Sequence, residues 1–282
     1  MNKGLESVAG YVGGKNGKIG RLISSVLYRK GIAAYVEPYS GTWGVGRQSA
    51  PYPVEIWNDL DDWLYSLFSV LCNENEAKEL LSRMLQTEYS QEYFDKAKAI
   101  CEKGLDLLPD RIQRAVYVWA LMLQSRNGQS KAWKGFSKGN EAVKYKESII
   151  KKYDLIDRFK NVKVFHKDAF DLMRAIKDRP DIMCMIDSPY VLKPRTCKNL
   201  YRHEMNDNDQ WNLVNLCVDA VSKMLLCGYH NDIYESVLTS DRGWFCYDLC
   251  KVAKSMSFSG LGSTKNQAME VIWTNYPLLG EV

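Results

Sequence analysis

The chain has 282 residues, of which 46% are hydrophobic and 26% are charged. This balance is that of a folded globular protein, and it excludes a disordered chain or a collagen-like fibre. The net charge is only +4, which is too small to indicate a nucleic-acid partner by itself.

The sequence shows no sign of a membrane segment, an export signal or a metal site. No stretch approaches the roughly 18 consecutive apolar residues of a membrane span, and the first residues lack the apolar run of a signal peptide. His166, His203 and His230 are far apart, and the eight cysteines form no Cys-x-x-Cys pair. We therefore expect a cytoplasmic protein with no membrane partner, no metal and reduced cysteines.

Seven short runs rich in β-forming residues recur along the chain. They are residues 33–37, 54–57, 162–166, 182–187, 224–228, 246–253 and 268–273. Several are continuously apolar, which is typical of strands buried on both faces. Helical periodicity lies between many of them, at residues 19–29, 170–177 and 207–221. This alternation predicts an α/β fold with a mainly parallel sheet.

A helical region of about ninety residues interrupts the alternation. Residues 62–153 contain little strand signal, and the helices predicted there span residues 76–85, 91–103, 111–123 and 141–151. Residues 55–110 carry 13 acids and 5 bases, whereas residues 126–160 carry 10 bases and 4 acids. We predict a helical insertion between the second and third strands, with residues 1–61 and 154–282 forming the main domain.

The basic loop, residues 126–140, places Trp133 and Phe136 among lysines and glycines. Such a loop can contact phosphates through its cations and bases through its aromatic rings. A solvated loop with buried aromatic residues has the same composition, and composition alone does not separate the two.

Residues 11–15 read Tyr-Val-Gly-Gly-Lys before a predicted helix. The segment is not a P-loop, because Val12 and Ile19 occupy positions where that motif needs glycine and a hydroxyl residue. Backbone amides and the Lys15 ammonium could still lie near an anion. A simple glycine turn is the alternative.

The first strand runs into a glycine-rich turn, as expected where a nucleotide-like ligand approaches the backbone closely. Glu37 at the end of this strand would suit a ligand that carries an ammonium group. Asn58 and Asp59 end the next strand, about 20 residues further on, where an acid commonly holds ribose hydroxyls.

The strand at residues 182–187 is apolar until its last residue and is followed by Ser-Pro-Tyr. In a parallel sheet, Asp187 would therefore stand at the carboxyl edge, where ligands bind. The carboxylate and a neighbouring carbonyl can both accept hydrogen bonds from one amino group, and Tyr190 can stack on a planar base. For the tetrapeptide alone, a turn after a buried strand is the alternative.

Taken together, these motifs resemble the Dam-type family of adenine-N6 DNA methyltransferases, in particular its phage members. The similar segments lie in the family's order at residues 11–15, 37–41, 58–59, 187–190, 201–207, 225–229 and 270–276. The resemblance thus covers nearly the whole chain. It implies a Rossmann-like sheet that binds S-adenosylmethionine, a helical target-recognition insertion, double-stranded DNA as partner, and a bacterial or phage-infected cell.

The resemblance also assigns roles to individual residues. It places Tyr11 and Lys15 against the cofactor, Glu37 near the cofactor's ammonium, Asp59 on its ribose and Asp168 near its adenine. Pro38, Tyr39, Gly41 and Asp187 complete the implied cofactor site. Asp187, Ser188, Pro189 and Tyr190 are the implied catalytic residues for a flipped-out adenine. The implied DNA contacts are Arg126, Lys131, Lys134, Lys138, Arg195, Lys198, Tyr201 and Arg202.

Two positions depart from the family pattern. Ser188 replaces a proline of the usual Asp-Pro-Pro-Tyr tetrapeptide; the backbone carbonyl is kept, but the fixed φ of proline is lost. Trp43 stands in the glycine-rich turn where the family often has glycine. Ser188 leaves open a catalytically impaired relative that binds DNA. An enzyme that methylates cytosine N4 is a further alternative, because the same carboxylate and carbonyl can hold either amine.

Overall fold

The computed structural model describes residues 5–191, 202–253 and 267–278. Its seven strands are β1 Ala34–Glu37, β2 Val54–Asn58, β3 Lys163–Phe165, β4 Ile182–Ile186, β5 Lys223–Gly228, β6 Phe245–Ala253 and β7 Gln267–Thr274. Each predicted strand is present, and its ends agree with the prediction to within one residue.

The strands form one mixed sheet in the order β3-β2-β1-β4-β5-β7-β6. Strands β1 to β5 are parallel to their neighbours, and β7 runs antiparallel to both β5 and β6. The predicted α/β class and the mainly parallel sheet are confirmed. Because the chain crosses from β1 to β2 on one side and β4 lies on the other, the sheet is Rossmann-like with a switch point beside β1.

The α-helices of the described residues lie on both faces of the sheet and in one long insertion. They are α1 Lys18–Ser25, α2 Asp62–Leu71, α3 Glu74–Gln86, α4 Gln91–Lys103, α5 Arg111–Gln124, α6 Glu141–Ile150, α7 Asp154–Phe159, α8 Ala169–Ile176, α9 Asp207–Val218 and α10 Asp232–Val237. Helices α2 to α7 fall between β2 and β3, so the helical region continues to Phe159, beyond the predicted boundary at residue 153. None of the helices in the described part of the chain is long and apolar enough to cross a membrane.

Successive residues of the central strands supply the cores on the two faces of the sheet. Val36 and Cys184 belong to one buried cluster, whereas Tyr35 and Met183 belong to the other, as the alternation of side chains along a strand requires. All five residues of β4 are buried, which explains its continuous apolar sequence.

A third cluster joins the sheet to the helical insertion. The ring of Trp57 on β2 stacks on Phe68 of α2 at a centroid distance of 4.6 Å, and Phe68 packs against Phe159 of α7. These residues share one buried cluster with most of the apolar residues of the insertion. The insertion is therefore packed against the sheet beside the ends of β1 and β2.

Candidate active site

A cavity of about 290 Å³ opens at the carboxyl ends of β1, β2 and β4. The switch point of a Rossmann-like sheet is the usual position of a ligand, and the volume is near the lower end for small-molecule sites. All residues that the sequence assigned to the cofactor line this one cavity: Tyr11, Lys15, Glu37, Pro38, Tyr39, Gly41, Asp59, Asp168 and Asp187.

Glu37 forms a buried carboxyl wall of the cavity, with 1% of its surface exposed. Its Oε1 accepts a hydrogen bond from the Tyr35 hydroxyl at 2.6 Å and another from the Gly46 amide at 2.7 Å. Burial raises the pKa of Glu37 to about 8, against the opposing effect of these two hydrogen bonds. The carboxyl group is therefore largely protonated near neutral pH until a cation approaches it.

Asp59 ties the glycine loop, residues 40–46, to the end of β2. Its Oδ2 accepts from the Gly41 amide at 2.8 Å, and its Oδ1 accepts from the Asp61 amide at 3.0 Å. Burial raises the pKa of Asp59 to about 6, so it is mostly ionised at pH 7. Each carboxylate oxygen keeps lone-pair capacity for a ligand hydroxyl.

Asn58 joins the ends of three neighbouring strands and is fully buried. Its Nδ2 donates to the carbonyls of Pro38 at 2.8 Å and Lys167 at 3.0 Å, and its Oδ1 accepts from the Lys167 amide at 3.0 Å. The amide side chain of Asn58 thus fixes the strand ends that form this wall of the cavity, and it gives each of these three backbone groups a hydrogen-bond partner.

Trp43 points away from the cavity, which explains how the glycine loop accommodates it. The side chain is fully buried and its ring packs against Phe159 at 5.2 Å and under the Arg158 guanidinium at 4.5 Å. Its φ is +55°, a left-handed conformation that is unusual for a bulky residue. The loop therefore keeps the backbone path of a glycine turn while its indole anchors it in the insertion.

Asp168 lies at the rim of the cavity and caps α8. Its Oδ1 accepts from the amides of Phe170 at 2.9 Å and Asp171 at 3.2 Å. The sequence signal for Asp168 was its position just after the third strand. The structure gives Asp168 a role as the N-cap of α8 that is independent of any ligand.

Asp187 follows β4 directly, lines the cavity and is paired with Lys15. The Lys15 Nζ lies 2.9 Å from Asp187 Oδ1, 3.2 Å from Glu270 Oε1 and 2.6 Å from the Tyr190 hydroxyl. Burial alone would lower the pKa of Lys15, but the two carboxylates outweigh it and hold this pKa well above its usual value. The ammonium is thus directed at Asp187 and Tyr190 of the tetrapeptide, whereas the family resemblance placed Lys15 against the cofactor.

Gln210 supports the tetrapeptide from behind and was missed in the sequence. Its fully buried side chain donates from Nε2 to the Pro189 carbonyl and accepts at Oε1 from the Tyr234 hydroxyl, both at 2.6 Å. The sequence did contain a signal for it. Gln210 is a polar residue on the face of α9 whose other buried residues, three, four and seven positions later, are the apolar Leu213, Val214 and Cys217.

Ser188 and Tyr190 are outside the set of residues that line the cavity. Ser188 is 1% exposed, between the cavity and the layer that contains Tyr234. The Tyr190 hydroxyl donates to Glu270, and its ring meets Tyr229 edge-on at a centroid distance of 4.8 Å. Glu270 on β7 therefore belongs to the site, although its sequence position gave no chemical hint of this.

The basic loop presents a cationic and aromatic surface. Arg126, Lys131, Lys134 and Lys138 are all exposed. Phe136 is 61% exposed and packs edge-on against Trp133 at 5.2 Å, while Trp133 is partly buried. The loop thus has one partly buried aromatic ring and one exposed ring, and its contact with nucleic acid stays a prediction. Arg195, Lys198 and Tyr201 lie outside the described residues.

A second cavity of about 260 Å³ lies between the basic loop and the first cavity. Tyr11, Val12, Asp61 and Arg202 line both cavities. The Arg202 Nε lies 3.5 Å from Asp61 Oδ2, and its guanidinium packs on the ring of Trp63. Arg202 is thus placed where the two cavities meet.

The described residues contain no group of three or more His, Cys, Asp or Glu side chains arranged to hold a metal ion. A scan against protein-family models gives no match, and no curated protein matches the chain at a significant level.

Proposed function

We propose that the protein is an S-adenosylmethionine-dependent DNA methyltransferase that modifies the N6 amine of adenine, as the resemblance to the Dam-type family implies. The observation that carries this proposal is one cavity at the switch point of the sheet. There the carboxylate of Asp187 lies with Glu37 and Asp59, and all three end parallel strands.

The residues of the cavity fit this cofactor. Glu37 offers a buried carboxyl group for the ammonium, and Asp59 offers acceptors for ribose hydroxyls. The buried hydroxyls of Tyr39 and Thr42, also on this cavity, have no hydrogen-bond partner among the described residues. Because buried polar groups are nearly always paired, such hydroxyls favour a polar ligand. When bound, S-adenosylmethionine supplies a methyl group made reactive by its sulfonium.

The chain's own part in the reaction is to orient the acceptor. A target adenine must leave the duplex stack to reach such a cavity. The carboxylate of Asp187 and the carbonyl of Ser188 would accept hydrogen bonds from its exocyclic amine, directing the nitrogen lone pair at the methyl carbon. Lys15, at 2.9 Å, fixes the rotamer of Asp187. Well-aligned geometry of this kind is worth about 7–11 kcal/mol.

Ser188 is compatible with activity because the tetrapeptide has another source of rigidity. The proline that it replaces would restrict φ at that position. The hydrogen bond from Gln210 to the Pro189 carbonyl, at 2.6 Å inside the core, restricts the next peptide instead. This observation favours the enzyme over an impaired DNA-binding relative.

The exposed cations of the basic loop support duplex DNA as the partner. Lys131, Lys134 and Lys138 would neutralise phosphates, and the exposed ring of Phe136 offers a face to a base. The loop borders the second cavity and hence lies next to the candidate active site.

The test is transfer of tritium from methyl-labelled cofactor to duplex DNA. We expect the unmodified protein to label DNA and Asp187→Ala to lose the label. Asp178→Ala is the matched control, since Asp178 is an exposed carboxylate before β4 at the opposite edge of the sheet. Full activity of Asp187→Ala would exclude the mechanism.

Mass analysis of nucleosides from the labelled DNA identifies the acceptor. N6-methyl-2′-deoxyadenosine is expected, and N4-methyl-2′-deoxycytidine would show instead that the carboxylate and carbonyl hold the amine of cytosine. DNA binding without label in the unmodified protein would show an impaired relative.

A further inference from the structure

Residues 10–15, here called the strap, run from the basic loop to the candidate active site. Gly10 at one end touches the basic loop, and Lys15 at the other end is paired with Asp187. Tyr11 lies between them and lines both cavities. The strap therefore contacts the basic loop, the glycine loop and the catalytic tetrapeptide.

The contact between the strap and the basic loop is a close approach of two backbones. Gly128 has a φ of +67°, and a Cβ built on it would lie 2.1 Å from the carbonyl oxygen of Gly10 and 2.9 Å from its Cα. Since real Cβ atoms do not approach so closely, any side chain at Gly128 would push the strap or the loop away.

The strap packs on the glycine loop in the same manner. A Cβ on Gly41 would lie 3.4 Å from the ring of Tyr11, and a Cβ on Gly44 would lie 2.8 Å from the carbonyl carbon of Lys15. A displacement of the strap therefore reaches the residues that form the cofactor side of the cavity.

The chain just before the strap is fixed to the helical insertion. The Trp119 Nε1 donates to the Val8 carbonyl at 2.9 Å, and the Lys152 Nζ donates to the Ser7 carbonyl at 3.0 Å. Val8 is fully buried. Because the preceding residues are anchored, pressure on Gly10 moves the strap rather than the segment before it.

We propose that Gly128 is a positioning residue that couples the basic loop to the cofactor cavity through Gly10 and Tyr11. The coupling rests on the proposed function, since its two occupants are duplex DNA on the loop and S-adenosylmethionine in the cavity. Each ligand then strengthens the binding of the other by the same factor, and couplings of this kind amount to about 5–150-fold.

The loop itself supplies matched controls. Gly135 and Gly139 also have positive φ, +75° each, but a Cβ on either meets no heavy atom of the described residues within 4 Å. Alanine at these positions carries the same backbone strain as Gly128→Ala without touching the strap. The three variants thus separate strain in the loop from displacement of the strap.

Three readouts are compared for Gly128→Ala, Gly135→Ala and Gly139→Ala. They are the Kd of S-adenosylhomocysteine without and with duplex DNA, the KM of the cofactor against kcat, and hydrogen exchange in residues 9–15. For Gly128→Ala we expect a Kd raised at least about fivefold, loss of the DNA effect, and faster exchange in the strap. Its cofactor KM should rise more than its kcat falls. The controls should keep the S-adenosylhomocysteine Kd without DNA and the strap exchange of the unmodified protein, because a Cβ at either position does not touch the strap.

Cofactor affinity and strap exchange that are equal in all three variants would overturn the coupling. If the unmodified protein binds no S-adenosylhomocysteine, the proposed function fails, whereas strap exchange still decides whether Gly128 positions the strap. If Gly128→Ala does not fold, the unmodified protein gives the test. S-adenosylhomocysteine should then slow exchange in residues 126–134, and unchanged exchange would refute the coupling.

Discussion

Binding of the cofactor should release a proton from Glu37. The pKa of this carboxyl is raised to about 8 by burial, so about nine in ten molecules carry the proton at pH 7. An ammonium placed beside the carboxyl favours its ionised form. We therefore expect close to one proton to leave the site per S-adenosylhomocysteine bound at pH 7, because this product has the same ammonium group.

The pH dependence has a defined direction. Between the pKa of Glu37 in the bound state and its pKa of about 8 in the free state, each rise of one pH unit should strengthen binding up to about tenfold. Above pH 8 the affinity levels off. Folding stability changes in the opposite sense. Because the folded pKa of Glu37 exceeds the unfolded value, stability falls as pH rises from 4.5 to about 8. The full loss of stability is on the order of 5 kcal/mol.

Glu37→Gln removes the proton while keeping the packing. Its Oε1 can still accept from the Tyr35 hydroxyl and the Gly46 amide. We expect this variant to release no proton, to bind more weakly and to lose the fall in stability with pH. Asp59→Asn is the matched control, since the pKa of Asp59, about 6, leaves little proton to release at pH 7.

Calorimetry at pH 7 in phosphate and in Tris measures the proton, because the two buffers differ in ionisation enthalpy. The slope of the binding enthalpy against that quantity is minus the number of protons released, because each released proton protonates the buffer. Tight binding with a slope of zero in the unmodified protein would refute the placement of the ammonium at Glu37. An unchanged slope in Glu37→Gln would refute it equally.

Three further predictions concern the residues around the cavity. Lys15→Met leaves buried carboxylates without a cation and should lower the free energy of unfolding, measured in urea, by about 3–5 kcal/mol. Adding Glu270→Gln should recover part of this loss. A loss below about 1 kcal/mol in Lys15→Met would contradict the pairing. Gln210→Leu should slow single-turnover methyl transfer at least about tenfold with unchanged cofactor affinity, and an unaltered rate would exclude its positioning role. Lys134→Gln should reduce the slope of log K for DNA against log salt by about 0.9, measured by anisotropy. Lys163→Gln, at the amino end of β3, should leave that slope unchanged, and equal slopes for both variants would exclude the basic loop as the DNA contact.

The sequence predicts the sheet well because buried parallel strands leave a strong pattern. Residues 182–186 are apolar on both faces and are bounded by polar residues, and β4 has those limits. Once the strands are parallel, their ends meet at one edge. Glu37, Asp59 and Asp187 therefore come together although they are distant in the chain, and this required no knowledge of side-chain packing.

Elements without periodicity could not be predicted in the same way. Helix α2 was not predicted, because Trp63, Tyr65 and Val70 lie off the buried stripe of Leu64, Leu67, Phe68 and Leu71 and weaken the amphipathic pattern. Helices α7 and α10 have six residues each, too few for a periodic signal. Their position depends on tertiary packing and on caps such as Asp61 and Asn231.

Contacts in the site between residues that are distant in the chain could not be predicted from the sequence either. Lys15 and Asp187 are 172 positions apart, and Lys15 meets Glu270 from the far end of the chain. Nothing local distinguishes this lysine from one that faces an anionic ligand. The direction of Trp43 was hidden for the same reason, since Phe159 and Arg158 become its neighbours only after the insertion folds.

The surroundings of the two ends of the strap have opposite charge: the cavity is acidic and the basic loop is cationic. The proposed chemistry accounts for this difference. Besides the protonated Glu37, six carboxylates line the cavity, and they outnumber the two cations that line it, Lys15 and Arg202. Such a site attracts a cofactor that carries a sulfonium and an ammonium, and it repels DNA phosphates. Phosphate binding therefore has to be supplied elsewhere, and residues 126–160, with 10 bases and 4 acids, are where the chain concentrates its positive charge. Under the proposed function, a duplex held there would bring only an uncharged base to the acidic cavity, and the electrostatic field would select which part of the DNA can enter.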